Sequence, residues 1–205
     1  MQDKISLFAW SKTLLSVYRY LETITAAIDN LVLKHGINSG FFYSSYFNST
    51  YNCANRIIEL TARKQKLINV KIIVDDAISK LQNEDIRILA LTYFDMVKSS
   101  EAAECLNISN RTFFRKKSIA IKKMGNVIKS FGFNADKLNE YLKDEQWLIS
   151  LYNKNLNEIN LKTKKTSESD KLSEYKLLKY IIKDYNKTTK KNFNYNNHMF
   201  TTQGR

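Results

Sequence analysis

The sequence predicts an all-α fold in three parts: an N-terminal long helical hairpin, a central three-helix domain, and C-terminal helices ending in a flexible basic tail. Three observations predict it. The 205 residues include no proline and five glycines, a composition that favours long helices over tight β-turns. Apolar residues recur at steps of three and four along most of the chain, the period of a helix buried on one face. The stretch Ser99 to Met124 reads as two helices separated by a tight turn. A chain of this length can hold one or two small domains with a proper core.

Residues 4–35 are the most regular. Leu7, Trp10, Leu14, Val17, Leu21, Ile24, Ile28 and Leu31 form an unbroken heptad seam, which predicts one helix roughly 45 Å long at about 1.5 Å per residue. Such a seam wants a partner, either the next helix of the same chain or the same seam of a second copy in a homodimeric coiled coil. Ile5, Phe8, Leu15 and Tyr18 widen the stripe and favour a bundle. Gly36 is the expected C-cap. Phe41 to Tyr51 is dense in aromatics, and two readings compete: a small core closing the hairpin, or a stacking platform for unpaired bases. A second long helix is expected from Ala54 to Leu81, with Ile57, Leu60, Leu67, Val70, Val74, Ala77, Ile78 and Leu81 inward and the β-branched Ile72-Ile73-Val74 kept helical. Asn83 is the expected N-cap of the next helix, whose Glu84 and Asp85 suit its N-terminus and whose Ile86, Leu89, Ala90, Tyr93 and Phe94 face the core.

The central stretch carries the functional signal. A short helix over Ser100 to Leu106 presents the small Ala102 and Ala103 where another helix must approach closely. Asn107 tolerates the left-handed bend that ends it, and Ser109 caps the helix that follows. Phe113, Ala120 and Met124 share the core face of that helix, and Ile108 and Leu106 lie beside them. Asn110, Arg111, Phe114 and Arg115 point the other way, followed by Lys116, Lys117, Lys122 and Lys123, and no acidic residue occurs from Cys105 to Ala135. This is the helix-turn-helix signature, whose second helix enters a DNA major groove. On that reading Asn110, Arg111, Phe114 and Arg115 face the bases, with Arg suited to guanine and Asn to adenine. Ser109, Thr112, Lys116, Lys117 and Lys122 hold phosphates.

These residues also carry a family resemblance. The acidic helix start at Glu84 and Asp85, then Ile86, Leu89 and Tyr93, Glu101-Ala102-Ala103, Leu106 with Ile108-Ser109, Thr112-Phe113 and Ala120 to Met124 resemble the promoter-reading region four of sigma-70 family initiation factors and the related domain of phage-type transcription regulators. The resemblance covers about a fifth of the chain. Asn107 stands where the family usually has Gly, and Phe113-Phe114 is bulkier than the usual Val with a polar neighbour. The resemblance implies a three-helix DNA-reading domain, with RNA polymerase as a further partner. The expected divisions are therefore 1–81 for oligomerisation or polymerase contact, 82–131 for DNA, 132–185 for C-terminal helices with a polar linker at 162–171, and 186–205 for a disordered basic tail.

Beyond Gly132, one helix is expected from Asn134 onward, with Leu138, Tyr141, Leu142, Trp147, Leu148, Leu151, Tyr152 and Leu156 as its apolar set, packing back on the N-terminal pair. A net charge of +13 points to a polyanion, nucleic acid ahead of an anionic membrane surface, although a Lys- and Asn-rich composition carries the same charge without one. Cys53 and Cys105 are too few and too far apart for a disulfide framework or zinc site and read as small core residues in a reducing compartment. His35 and His198 have no second ligand at metal spacing. No cofactor is expected. The start lacks the build of a signal peptide and no run of about 18 apolar residues exists, so the chain is expected to be soluble, without membrane contact, in the cytoplasm at the nucleoid. No Gly-rich phosphate loop and no nucleophile–base set is found, which argues against an enzyme. The expected function is sequence-specific binding of double-stranded DNA as a transcription regulator. The alternatives are a minimal sigma-70 family factor, or a phage-type packaging adaptor whose helix-turn-helix and coiled coil build a ring on DNA.

Overall fold

A computed structural model describes residues 2–41 and 47–160, with the side chains of 3–36 and 51–160. The regular elements among these residues are all helical: α1 (Gln2–Tyr18), α2 (Leu21–Phe41), α3 (Phe47–Ser79), α4 (Asn83–Leu89) running into a π-helical turn (Ala90–Phe94), α5 (Ser99–Cys105), α6 (Asn110–Ser130), α7 (Ala135–Tyr141) and α8 (Gln146–Asn160). The all-α class is thus the observed one. No helix among the described residues is long and apolar enough to cross a membrane. The expected linker 162–171, the helix beyond it and the tail 186–205 lie outside the described residues, as do the aromatic side chains from Phe41 to Phe47.

Several boundaries differ from the expected ones. The single helix over 4–35 is two helices, broken at Arg19-Tyr20, where the Tyr20 N–H donates to Val17 O at 2.9 Å. Leu7, Trp10, Leu14, Val17, Leu21, Ile24 and Ile28 are nevertheless all buried. A two-residue break that keeps the same residues inward leaves apolar spacing unchanged, so spacing does not reveal it. Gly36 is not a cap, because α2 continues through it to Phe41. The next helix begins at Phe47 rather than Ala54, and Ile72-Ile73-Val74 lie within it. The expected helix beyond Asn134 is also two, α7 and α8. Between them Glu145 is fully buried, accepting from Trp147 Nε1 at 2.9 Å through its carboxylate and from the Leu148 N–H at 2.9 Å through its carbonyl. An acidic residue reads as solvent-facing, which hides this role. Cys53 is half-buried and Cys105 exposed, so neither is the core residue expected.

The described residues divide into two compact units, one of 2–21 with 66–160, the other of 22–41 with 47–65. In the second, Lys64 Nζ bridges both oxygens of Asp29 at 2.7 and 2.8 Å, tying α3 to α2. Arg56, buried, pairs with Glu59 at 2.8 Å. Burial holds the His35 imidazole below its ordinary pKa, aided by the charges of Arg56 and Lys34.

In the first unit α1 packs on α8, α6 and α7. The Trp10 ring stacks on Tyr152 with centroids 4.4 Å apart, and its Nε1 donates to Asn139 Oδ1 at 3.1 Å. Asn155 Nδ2 donates to Thr13 Oγ1 at 2.9 Å, while Thr13 Oγ1 donates to Ala9 O at 2.8 Å, so these buried polar groups are satisfied. Gly125 of α6 is where α1 comes closest. A Cβ there would stand 2.8 Å from Ser11 Oγ and 3.5 Å from Leu7 Cγ.

Candidate nucleic-acid interface

The candidate surface is built by α4, α5 and α6. Gln82 occupies the N-cap position of α4 without a side-chain cap, and Asn83 is the first helical residue rather than the cap. After Leu89 the chain widens into a π turn, closed by Asp95 N–H to Ala90 O at 3.0 Å. Met96 then takes a left-handed φ of 54° and turns the chain into α5. Neither feature has a sequence signal: Met is not a residue that favours this region.

The bend between α5 and α6 follows the residues that suggested it. Asn107 has φ 51°. Its N–H donates to Glu104 O at 2.9 Å and that of Ile108 to Ala103 O at 3.0 Å, the two bonds of a Schellman motif. The apolar contact that usually accompanies the motif is present, since Ile108 packs on the cluster of Ile88, Ala102, Ala103 and Phe113, with Leu91, Val97 and Leu106 at its margin. Ile88, and not the expected Ile86 of the same turn, is the buried residue; Ile86 is half-buried. The first-turn N–H of Thr112 donates to Ser109 Oγ at 3.2 Å, and that hydroxyl donates to Thr112 Oγ1 at 2.9 Å. Ser109 is therefore the cap expected.

Along α6 the inward residues are Phe113, Ala120, Ile121, Met124, Gly125 and Ile128. The four residues expected to face bases, Asn110, Arg111, Phe114 and Arg115, are all exposed, as is Lys122. At about 100° per residue, Arg111, Phe114, Arg115 and Lys122 fall within one arc. Phe114 is 50 % exposed and meets Phe113 edge-on, with ring centroids 6.0 Å apart.

The remaining lysines are less free than their number suggests. Lys116 is ion-paired with Glu84 at the start of α4, and this hydrogen bond, with the charge of the ammonium, holds the Glu84 carboxyl below its ordinary pKa. Lys123 reaches the buried Asp85 at 2.6 Å, which supplies the partner a buried carboxylate requires. Lys117 Nζ lies 5.2 Å from the ring centroid of Tyr93, whose burial pushes its hydroxyl far above the ordinary tyrosine pKa. These three contacts join α6 to α4 and the π turn. An open depression of about 290 Å³ lies beside them, lined by Asn83, Glu84, Arg87, Leu106 and Ile108. Among the described residues no group of three His, Cys, Asp or Glu side chains could hold a metal ion.

Residues 53–125 match the family described as "Protein of unknown function (DUF1492)". The match runs from within α3 to Gly125, spanning α4, α5, the turn and the first part of α6. No curated protein and no solved structure matches the chain.

Proposed function

We propose that the chain is a sequence-specific DNA-binding protein of the transcription-regulator class. It reads the major groove of double-stranded DNA through α6, in a domain like region four of the sigma-70 family. The observation that carries this reading is the combination at the start of α6. A capped helix leaves a left-handed Asn turn, its core side is fixed by Phe113, and its outer side presents Asn110, Arg111, Phe114 and Arg115 to solvent with no carboxylate among them. Arg111 and Arg115 supply bidentate donors for guanine and Asn110 for adenine, while Lys122 and the hydroxyls of Ser109 and Thr112 are suited to phosphate oxygens. Lys116 and Lys117 join them when a phosphate draws them from Glu84 and Tyr93.

The test is selection of the full chain on a random duplex library, followed by affinity measurements across salt. A shared motif is expected, with log K falling by about 0.9 per phosphate neutralised. Arg111→Ala and Arg115→Ala should each relax preference at one position. Equal affinity of both variants and the wild-type chain for the selected duplex would remove α6 from the reading role.

A further inference from the structure

Phe113 and Phe114 are neighbours with opposite fates: the first is fully buried, the second 50 % exposed. Positions 114, 121 and 125 fall close to one line of α6, at spacings of seven and four residues. Ile121 and Gly125 on that line are buried, so a side of the helix that is covered further along is open at Phe114, about 10 Å nearer the helix start. The ring meets that of Phe113 edge-on, and the exposed Arg111 and Arg115 both lie to one side of it, about 60° and 100° round the helix. A partner that accepts this surface must be polyanionic, to satisfy two guanidinium groups on a stretch without carboxylates. It must also offer an apolar group at the same depth, to cover a phenyl ring.

Double-stranded DNA meets the first demand through its phosphates and the guanine O6 and N7 acceptors, and in its major groove it meets the second through the C5 methyl of thymine, which is contacted by apolar side chains including Phe. We propose that Phe114 is a specificity-determining residue that packs on a thymine methyl group, adjacent to bases read by Arg111 and Arg115. The inference rests on α6 being the groove-reading helix, and adds that the recognised sequence contains a thymine whose methyl group is required.

The experiment replaces each thymine of the selected duplex, one at a time, with deoxyuridine, which removes the methyl group and nothing else. At one position the wild-type chain should bind about four-fold more weakly, the factor set by about 0.8 kcal/mol per buried methyl-sized group. Phe114→Ala, its fold checked by circular dichroism, should bind the thymine and deoxyuridine duplexes equally. Unchanged affinity at every substituted position overturns the proposal without recourse to a variant, as does a Phe114→Ala chain that keeps the preference for thymine. Selected duplexes that lose affinity in Arg111→Ala and Arg115→Ala yet ignore deoxyuridine would overturn the role of Phe114 alone. Failure to select any motif would overturn the groove-reading assignment and this inference with it.

Discussion

The two halves of α6 share one helix and are used in different ways. From Asn110 to Ile119 only Phe113 is fully buried, and most of the remaining surface is cationic or polar. From Ala120 onward five residues are buried, and Gly125 lets α1 approach until Ser11 Oγ would lie 2.8 Å from an added Cβ. The comparison separates what positions the helix from what the helix presents. Substitutions in the second half should act on stability, and those in the first half on binding, with Phe113 as the exception that joins them.

The largest effect is expected at that exception. Phe113→Ala opens a cavity beneath the cluster of Ile88, Ala102 and Ala103 and should cost about 3–5 kcal/mol in chemical denaturation. Phe114→Ala, one residue on, should stay within about 0.5 kcal/mol of the wild-type chain. Similar losses from the two would erase the distinction between the faces.

Gly125→Ala comes next. Overpacking costs about 1–3 kcal/mol, partly offset by about 1 kcal/mol of helix propensity, so the melting midpoint should fall. Ser11→Ala combined with it removes the obstructing hydroxyl and should recover most of the loss. A double variant no better than Gly125→Ala would show that the close approach is not what the glycine permits. In the exposed half, Arg111→Ala and Arg115→Ala should each cost about 1–3 kcal/mol of specific binding while leaving the denaturation midpoint unchanged.

The smallest effect sharpens the boundary between the halves. Glu84→Gln releases Lys116 and should raise DNA affinity at low salt, steepening the salt dependence by up to about 0.9 in slope. Because the Glu84 carboxyl is held below its ordinary pKa in the folded chain, its contribution is complete above the unfolded value and is lost as the pH falls through the lowered one. The wild-type chain should therefore approach the variant's affinity on acidification and differ from it around neutrality. Indistinguishable salt slopes at neutral pH would mean that Glu84 does not compete with phosphate.

Much of this surface was legible in the residues because its devices are local. The Asn107 bend, the Ser109 cap and the outward set Asn110, Arg111, Phe114 and Arg115 each follow from a few neighbouring residues. What was not legible depends on distant partners or on backbone conformations that residue identity does not encode. The Arg19-Tyr20 break preserves apolar phase, and the π turn at Ala90–Phe94 and the left-handed Met96 have no compositional mark. Glu145 and Asp85 are buried carboxylates whose partners include Trp147 and Lys123, neither of which the sequence pairs with them. The ion pair of Lys116 with Glu84 spans 32 residues, and charge counting alone left that lysine wholly available to DNA.

The glycine at position 125 has a consequence for engineering. The contact with α1 lies beyond the segment that carries Asn110, Arg111, Phe114 and Arg115, so if that segment reads DNA as proposed, the address can be exchanged without rebuilding the socket that holds it. Rewriting positions 110, 111, 114 and 115 while keeping Phe113 and everything from Ala120 onward should give chains that melt alike and select different duplexes, a scaffold for programmable recognition in a chain of 205 residues.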